Sequence, residues 1–202
     1  MSNEGQIFVL SGPPGAGKST IAARVRAEMP GLAYSVSLTT REPRPGEIEG
    51  KDYFFVSREE FARRIAGGEM AEYEEIFGNL YGTSEKVIRA ALDKGKDLFL
   101  DTDVNGAEQL RKRFPLGVFI FLLPPSRAEL ERRLRGRATE GEDQVRQRLD
   151  RVRYEVGKAH NYTHLVVNGD LDQAVEEVKA IITAARRRTK HHQKLIDEFL
   201  AL

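Results

Sequence analysis

A glycine-rich segment near the N-terminus, residues 12–20, constrains the fold of this chain more than any other feature. It reads Gly-Pro-Pro-Gly-Ala-Gly-Lys-Ser-Thr and lies between the apolar run 7–10 and the helix-like run 21–25. A strand, the pattern G-x-x-x-x-G-K-[ST] and a helix together form the complete context of a phosphate-binding P-loop. The chain is therefore expected to contain a strand–loop–helix unit that binds a nucleoside triphosphate.

Each part of this segment has a chemical reason to bind phosphate. Tight turns at glycine let successive N–H groups point at phosphate oxygens, and the start of the next helix adds a positive dipole end. Lys18 is expected to reach the β- and γ-phosphates, and the Ser19 hydroxyl to ligate Mg²⁺. A glycine-rich turn without a ligand is the alternative. The predicted triphosphate-binding residues are Gly12, Pro13, Pro14, Gly15, Ala16, Gly17, Lys18, Ser19 and Thr20.

Composition and charge argue against several other classes of protein. The 202 residues carry 32 Lys and Arg against 31 Asp and Glu, which argues against a dedicated binder of duplex nucleic acid. We expect no transmembrane helix, because no apolar run is long enough, and no disulfide or thiolate chemistry, because cysteine is absent. Residues 1–6 lack the features of a signal peptide. A cytoplasmic protein without nucleic-acid or membrane partners is predicted.

Apolar runs alternate with helical patterns over most of the chain, which is typical of α/β proteins. The runs are continuous, as expected for parallel strands buried on both faces. They occupy residues 7–10, 98–100, 118–123 and 165–167. Ser57 and Ser126 each precede a glutamate by three residues, which predicts capping boxes at two helix starts. We expect an α/β fold with a three-layer α/β/α core around a central, mainly parallel sheet.

The region 34–83 departs from this pattern. Short β-like pieces at 34–38, 53–56 and 72–77 surround one short helix near 58–66. These features predict a small, β-rich antiparallel lobe inserted into the core.

The residues after a helix predicted at about 172–187 form a tail with two parts. Residues 186–192 are basic, and an apolar helical stripe follows at Leu195, Ile196, Phe199 and Leu200. We expect a solvated basic end and a helix that packs either on the body of the protein or on a second subunit, in which case the chain forms a homo-oligomer.

Two further groups of side chains suit a phosphoryl-transfer site. Asp101 follows an apolar run, where the Mg²⁺-side carboxylate is expected, with capping of the next helix as the alternative. Arg41 and Arg44 lie on a proline-stiffened backbone and suit bidentate contact with phosphate, and Tyr53 and Tyr81 add phenolic donors. A second phosphate site, apart from the P-loop, is therefore predicted, with a charged surface loop as the alternative.

Several ordered blocks, spread over about residues 5–188, resemble guanylate kinases, which transfer phosphate from ATP to GMP. The blocks are residues 35–47, 50–56, 77–83, 100–103 and 132–137. The resemblance implies ATP and GMP as partners, and Mg²⁺ held by Ser19 and Asp101 mostly through water. It implies a P-loop core (1–33, 84–125 and 159–188), a GMP-binding lobe (34–83), a helical lid (126–158) and a helical tail (189–202).

The resemblance also assigns residues to the acceptor GMP: Ser37, Arg41, Arg44, Tyr53, Glu72, Tyr81, Thr83 and Asp103. The resemblance implies that Glu72 reads guanine, whose N1–H and exocyclic amine match two carboxylate oxygens. Adenine has an acceptor at N1 and no 2-amine, so it would leave the carboxylate unpaired. On the residue pattern alone, a solvated strand glutamate is the favoured interpretation of Glu72.

The same resemblance completes the site. It implies that Asn168 lies near the ATP adenine. The sequence departs from the family pattern where Pro14 replaces a frequent serine and Asn105 replaces the usual glutamine. The cations implied in catalysis are Lys18, Arg41 and the lid arginines Arg133, Arg137 and Arg148. On the pattern alone, the lid arginines can equally form a salt-bridged surface.

Two other functions remain as alternatives. An inactive guanylate-kinase-like interaction module would not be expected to retain Lys18, Ser19 and the lid arginines together. A related kinase acting on a ribose phosphate would lack the residues that read guanine.

Overall fold

The computed structural model describes residues 5–76, 78–135 and 142–201, with the backbone alone for residues 142–148 and 190. Along these residues the strands are β1 (Ile7–Ser11), β2 (Ala33–Tyr34), β3 (Leu38–Thr39), β4 (Phe54–Phe55), β5 (Met70–Ile76), β6 (Asn79–Ser84), β7 (Leu98–Asp101), β8 (Val118–Leu123) and β9 (His164–Val167). The α-helices are α1 (Lys18–Glu28), α2 (Arg58–Ala66), α3 (Glu85–Leu92), α4 (Val104–Arg113), α5 (Arg127–Arg135), α6 (Glu142–Gly157), α7 (Leu171–Arg186) and α8 (Gln193–Leu200).

The central sheet is parallel throughout, with the strand order β2-β7-β1-β8-β9. Every residue of β1 is buried, because helices cover both faces of the sheet. Phe8 and Leu10 pack on one face in a cluster that includes residues of α1 and α7. Ile7 and Val9 pack on the opposite face against α3 and α4. The predicted three-layer α/β/α core is confirmed.

A second, smaller sheet has the order β4-β3-β6-β5, and the fully buried Phe61 of α2 packs in its core. Its strands are antiparallel except for the parallel pair β3–β4, so the expectation of a purely antiparallel lobe is wrong. The β-piece predicted at 34–38 is also wrong as a unit. Tyr34 pairs with Phe99 in the central sheet, whereas Leu38 pairs in the second sheet. The intervening residues carry the chain from one sheet to the other.

Local helix signals in the sequence correspond to observed caps. The Ser57 hydroxyl accepts a hydrogen bond from the Glu60 backbone N–H, and the Ser126 hydroxyl accepts one from the Glu129 N–H, both at 3.1 Å. Both predicted helix starts are therefore confirmed. Helix α7 lies within one residue of its predicted bounds at each end.

The predicted tail helix is present as α8, but three of the four apolar side chains in its stripe are not covered by the body of the chain. Leu195, Phe199 and Leu200 are 51%, 68% and 78% exposed. Packing of these three side chains on the body is therefore wrong, and contact with a second subunit stays a prediction. Within the described residues, no helix combines the length and the apolar character needed to cross a membrane.

The parallel sheet brings the predicted functional residues to one edge. The P-loop follows the carboxyl end of β1, Asp101 is the last residue of β7, and Asn168 follows β9 directly. Carboxyl ends of parallel strands lie at the same edge of a sheet, where open α/β proteins bind their ligands. The second sheet follows β2 in the chain, and β2 also ends at this edge of the central sheet. Residues of the second sheet therefore lie close to the same edge.

Candidate active site

The P-loop has a backbone that requires glycine at particular positions. Gly12, Gly15 and Gly17 have φ angles of 149°, 84° and 98°. At Gly12, a Cβ atom would come within 2.2 Å of the Leu122 carbonyl oxygen on β8, so close packing also excludes a side chain there. Helix α1 begins at Lys18, immediately after Gly17, and its first N–H groups therefore face the loop.

The Lys18 ammonium group lies over its own loop. It donates hydrogen bonds to the backbone carbonyls of Gly12 and Pro13. Burial lowers the pKa of Lys18, and the negative charges of Glu155, Asp101 and Asp103 act in the opposite direction. A cation in this position can neutralise charge on a bound phosphate.

Of the other P-loop residues, some stabilise the loop and others are exposed at its surface. The Ala16 N–H donates to the Pro13 carbonyl at 3.1 Å, which closes the turn, and the Ala16 side chain is fully buried. Pro14 lines both cavities described below, so its ring faces the site although it has no N–H to offer. Ser19 and Thr20 are exposed in the first turn of α1.

Ser19 and Asp101 line one cavity and present the hard oxygen donors that Mg²⁺ prefers. The Asp101 carboxylate is oriented by the Tyr34 hydroxyl, which donates to its Oδ1 at 2.6 Å. The Arg26 guanidinium lies 3.7 Å from the centre of the Tyr34 ring and holds that ring in place. Burial is the main cause that raises the pKa of Tyr34, so the hydroxyl remains a donor. The donor set therefore fits Mg²⁺ bound together with a triphosphate.

Three of the four side chains predicted to form the second phosphate site meet in a cavity of about 810 Å³, called here the phosphate cleft. Its walls include Arg41, Arg44 and Tyr53, together with Ser19 and Asp101 from the P-loop side. The rings of Tyr53 and Tyr81 pack edge to face with centroids 6.0 Å apart. These residues therefore share one cleft with the P-loop rather than forming a separate surface loop.

Glu47 holds the Arg41 guanidinium in a fixed direction. The two side chains form a bidentate pair with hydrogen bonds of 2.9 Å each, and Glu47 Oε2 also accepts the Arg44 N–H at 2.8 Å. These hydrogen bonds are the main cause that raises the pKa of Arg41 and lowers the pKa of Glu47. Arg41 thus remains a cation with a defined orientation, as bidentate phosphate contact requires.

A second cavity of about 340 Å³, called here the acceptor pocket, adjoins the phosphate cleft. Its walls include Ser37, Glu72, Glu74 and Asp103 from one side and Lys18 from the other. Five residues line both cavities: Pro14, Ser19, Arg44, Tyr53 and Asp101. One continuous space therefore extends from the P-loop lysine to Glu72.

Glu72 is a buried carboxylate, only 3% exposed, at the wall of the acceptor pocket. The Thr83 hydroxyl donates to its Oε1 at 2.6 Å and the Thr102 hydroxyl donates to its Oε2 at 3.2 Å. Burial, with the charge of Asp103, raises the pKa of Glu72 to about 7 although these hydroxyls act against the rise. The interpretation of Glu72 as a solvated strand residue is therefore wrong.

Small neighbours leave room for the Glu72 carboxylate. The Ser37 and Thr83 hydroxyl oxygens lie 3.4 Å apart on one side of it. On the other side, a Cβ on Gly106 would come within 2.4 Å of Glu72 Oε2. Each carboxylate oxygen keeps a free lone pair, so the group can accept two further hydrogen bonds.

Asp103 caps helix α4 as well as facing the acceptor pocket. Its Oδ1 accepts the backbone N–H groups of Asn105 and Gly106 at 3.0 and 2.8 Å. The helix-capping role that was an alternative for Asp101 thus belongs to Asp103. Its Oδ2 accepts a hydrogen bond from Arg151 of α6 at 3.2 Å.

The described part of the predicted lid contributes Arg133 at the P-loop side. Arg133 donates to Glu129 at 2.7 Å and to the Asn168 carbonyl at 3.1 Å. Asn168 is 5% exposed, and its side-chain amide donates to the Ala16 carbonyl at 2.7 Å, so it braces the P-loop. Arg137 and the side chain of Arg148 lie outside what the structure describes.

The structure adds functional neighbours that sequence reasoning missed. Tyr34, Glu47, Gly106 and Arg151 each touch or make room for a predicted site residue. Glu47 lies six residues after Arg41, and this local spacing was a usable signal. Tyr34, Gly106 and Arg151 are each at least 34 residues away in sequence from the site residue that they contact. Only folding of the chain brings them to the site.

Comparisons with known proteins agree with this geometry. The guanylate kinase family model matches residues 4–185. A guanylate kinase of Geobacter sulfurreducens is 44% identical over 202 residues, covering 100% of both chains, and one of Geobacter metallireducens is 44% identical over 94% of this chain and 93% of its own. A crystal structure of guanylate kinase from Anaplasma phagocytophilum superposes with a TM-score of 0.77 at 35% identity, covering 94% of this chain and 90% of that one. This chain belongs to the guanylate kinase family.

Proposed function

We propose that the protein transfers the γ-phosphoryl group of ATP to GMP, giving ADP and GDP. The observation that carries the proposal is the continuous space between Lys18 of the P-loop and the buried Glu72. A phosphate donor and a nucleobase can occupy the two ends of this space at the same time. The relatives named above support the same reaction.

In this proposal the donor lies at residues 12–20 and the acceptor at residues 37–103. The acceptor phosphate is held by Arg41 and Arg44 with the hydroxyls of Tyr53 and Tyr81. Guanine is read by Glu72, with Ser37, Thr83 and Asp103 as further contacts. Residues 34–83 form the GMP-binding lobe, residues 126–158 form the lid, and the rest of 1–188 forms the core.

Catalysis in this site rests on position and charge. The nucleophile is a GMP phosphate oxygen, which is largely ionised at neutral pH because phosphomonoesters have a second pKa near 6. A general base is therefore unnecessary. Lys18 and Arg41, with Arg133, Arg137 and Arg148 from the lid, neutralise charge on the transferred group. Mg²⁺, when bound through Ser19 and Asp101, supplies further neutralisation at the phosphates.

Selectivity for guanine follows from the hydrogen-bonding capacity of Glu72. The ionised carboxylate accepts from guanine N1–H and the 2-amino group, while its two threonine contacts remain in place. Adenine offers an acceptor at N1, so a buried charge would be left facing a lone pair. The site therefore favours GMP over AMP through both attraction and mismatch.

An ADP-release assay with ATP and Mg²⁺ tests this proposal, with GMP, AMP, CMP, UMP and ribose 5-phosphate as separate acceptors. We expect rapid turnover with GMP and much slower turnover with every other acceptor. The inactive interaction module predicts no turnover with any acceptor, and the ribose-phosphate kinase predicts preference for ribose 5-phosphate. Either of these results rejects the proposal.

The proposal also includes a cytoplasmic location and contact between copies of the chain through residues 189–202. The exposed side chains of Phe199 and Leu200 support the second point. Light scattering of the full chain measures the oligomeric state directly, and a monomer at working concentrations rejects contact through the tail.

A further inference from the structure

Arg151 on helix α6 joins that helix to two carboxylates of the acceptor pocket. Its Nη2 donates to Glu74 Oε1 at 3.0 Å and to Asp103 Oδ2 at 3.2 Å, and its Nε donates to Glu155 Oε1 at 2.7 Å. The side chain is 26% exposed and lines the acceptor pocket. One guanidinium therefore connects three elements of the fold, β5, the start of α4 and α6.

The contact of Arg151 is part of a longer seam between α6 and the acceptor side. Tyr154 donates to Asn105 Oδ1 at 2.8 Å, and Lys158 donates to Glu108 Oε2 at 3.0 Å. Arg151 and Tyr154 lie on one face of α6, and Lys158 directly follows the last residue of that helix. Asn105 in turn donates to Glu74 Oε1 at 3.0 Å, so its short side chain bridges β5 and α6.

The two pocket carboxylates are incompletely fixed without Arg151. Asp103 Oδ1 is held by the cap of α4, whereas its Oδ2 has Arg151 as its partner. Glu74 Oε1 accepts from Arg151 and Asn105, while Glu74 Oε2 is buried without a hydrogen-bond partner among the described residues. Arg151 therefore sets the direction in which both groups present oxygen atoms to the pocket.

Charge gives a second reason for an arginine at this position. The acceptor pocket is lined by Glu72, Glu74, Asp101, Asp103 and Glu155. Like charges this close destabilise one another, and the charge of Asp103 adds to the effect of burial in raising the pKa of Glu72. A guanidinium paired with three of these carboxylates, Glu74, Asp103 and Glu155, offsets that repulsion before an anionic acceptor arrives.

We propose that Arg151 is a positioning residue for the acceptor nucleotide, acting through Asp103 and Glu74 from helix α6. This inference rests on the proposed function, because it takes GMP as the occupant of the pocket. An arginine suits the role better than a lysine, since its planar fork bonds several oxygens at once whereas an ammonium acts as a point charge.

Steady-state kinetics of Arg151→Gln in the full chain test this role. We expect the KM for GMP to rise about tenfold or more, because two charge-assisted contacts are lost, while the KM for ATP stays within about twofold. Arg151→Lys should recover part of the loss. Arg153→Gln is the matched control, since Arg153 is exposed on the same helix, and we expect it to leave both constants unchanged.

A KM for GMP within about twofold of wild type in Arg151→Gln overturns the inference. Equal rises in both KM values with a lower melting temperature also overturn it, because they indicate a structural ion pair. If Arg151→Gln does not fold, Glu74→Gln removes one of the same contacts and must raise the KM for GMP selectively. If the wild-type protein does not phosphorylate GMP, the proposed function is rejected. If the wild type is active and Arg151→Gln has an unchanged KM for GMP, this inference alone is rejected.

Discussion

Replacement of Glu72 by glutamine separates the role of this residue in recognition from its role in stability. Its two oxygens accept hydrogen bonds from Thr83 and Thr102 at 2.6 and 3.2 Å, and the side chain is 3% exposed. Glutamine keeps nearly the same volume but replaces one acceptor oxygen with an NH₂ donor. In the variant, this NH₂ group faces the guanine donors and one of the two threonine hydroxyls. The side chain thus loses its charge and one acceptor oxygen, while no new cavity forms.

The expected loss in recognition follows from the charge of the hydrogen bonds. Contacts to a charged group contribute about 1.5–3 kcal/mol each, which corresponds to about a 10- to 150-fold fall in kcat/KM for GMP when the charged partner is lost. For AMP, the substitution removes the mismatch between the carboxylate charge and the adenine N1 lone pair, so its kcat/KM should stay the same or rise. The ratio of GMP to AMP activity should therefore fall by at least the same factor as GMP activity.

The expected effect of Glu72→Gln on stability has the opposite sign. The pKa of Glu72 rises from 4.5 to about 7 in the folded chain, mainly through burial. Because the pKa of Glu72 is higher in the folded chain than in the unfolded chain, protonation of Glu72 stabilises the folded state. This stabilisation is fully present below the unfolded pKa and is lost as the pH rises through 7. At pH 8 the ionised side chain thus costs up to about 3 kcal/mol, which glutamine avoids. At pH 4.5 the two proteins should differ little.

Two measurements test this reasoning on Glu72. Steady-state rates with GMP and AMP at pH 8 give the change in selectivity, and urea unfolding at pH 8 and pH 4.5 gives the change in stability. Glu75→Gln is the control, because Glu75 lies on the same strand but is exposed and paired with Arg58. An unchanged ratio of GMP to AMP activity refutes the assignment of Glu72 as the residue that reads guanine. A variant destabilised at pH 8 refutes the account of its burial.

Three further predictions concern the donor side and the pH dependence. Lys18→Ala should lower kcat by at least about a hundredfold while cooperative thermal unfolding persists, and near-normal turnover contradicts the P-loop assignment. The kcat/KM for GMP should fall as the pH drops through about 7, because protonated Glu72 cannot accept both guanine donors; a profile that is flat between pH 6 and 8 contradicts this. Tyr34→Phe removes the 2.6 Å hydrogen bond to Asp101, so the Asp101 carboxylate should be less well oriented toward Mg²⁺. A calorimetric titration of Mg²⁺-dependent nucleotide binding should then need several-fold more Mg²⁺. An unchanged midpoint argues against orientation of Asp101 by Tyr34.

The elements that carry strong local signals could be predicted from the sequence. The P-loop has a fixed pattern between a buried strand and a helix, and the long apolar runs correspond to β1, β7, β8 and β9. Strands β2 and β3 have two residues each, which is too short for any periodicity. Their partners in the folded chain decide which sheet they join, and so the assignment of 34–38 to one piece failed.

The same distinction applies to the site. Arg41 lies in a block that resembles a known family, and Glu72 lies between two such blocks. Both residues could therefore be named, but their supporting contacts could not. Tyr34 reaches Asp101 across 67 residues, and Arg151 reaches Asp103 across 48. Such pairs depend on how α6 and the two sheets pack, and local sequence patterns do not encode that packing.

The fate of the transferred phosphoryl group tests the central claim most directly. ATP labelled at the γ-phosphate is incubated with the protein, Mg²⁺ and GMP, and the labelled products are separated. We expect the label in the β-phosphate of GDP, with ADP formed in equal amount and no reaction when GMP is omitted. Label recovered as inorganic phosphate, or no labelled GDP at all, would contradict the assignment of this chain as an ATP:GMP phosphotransferase.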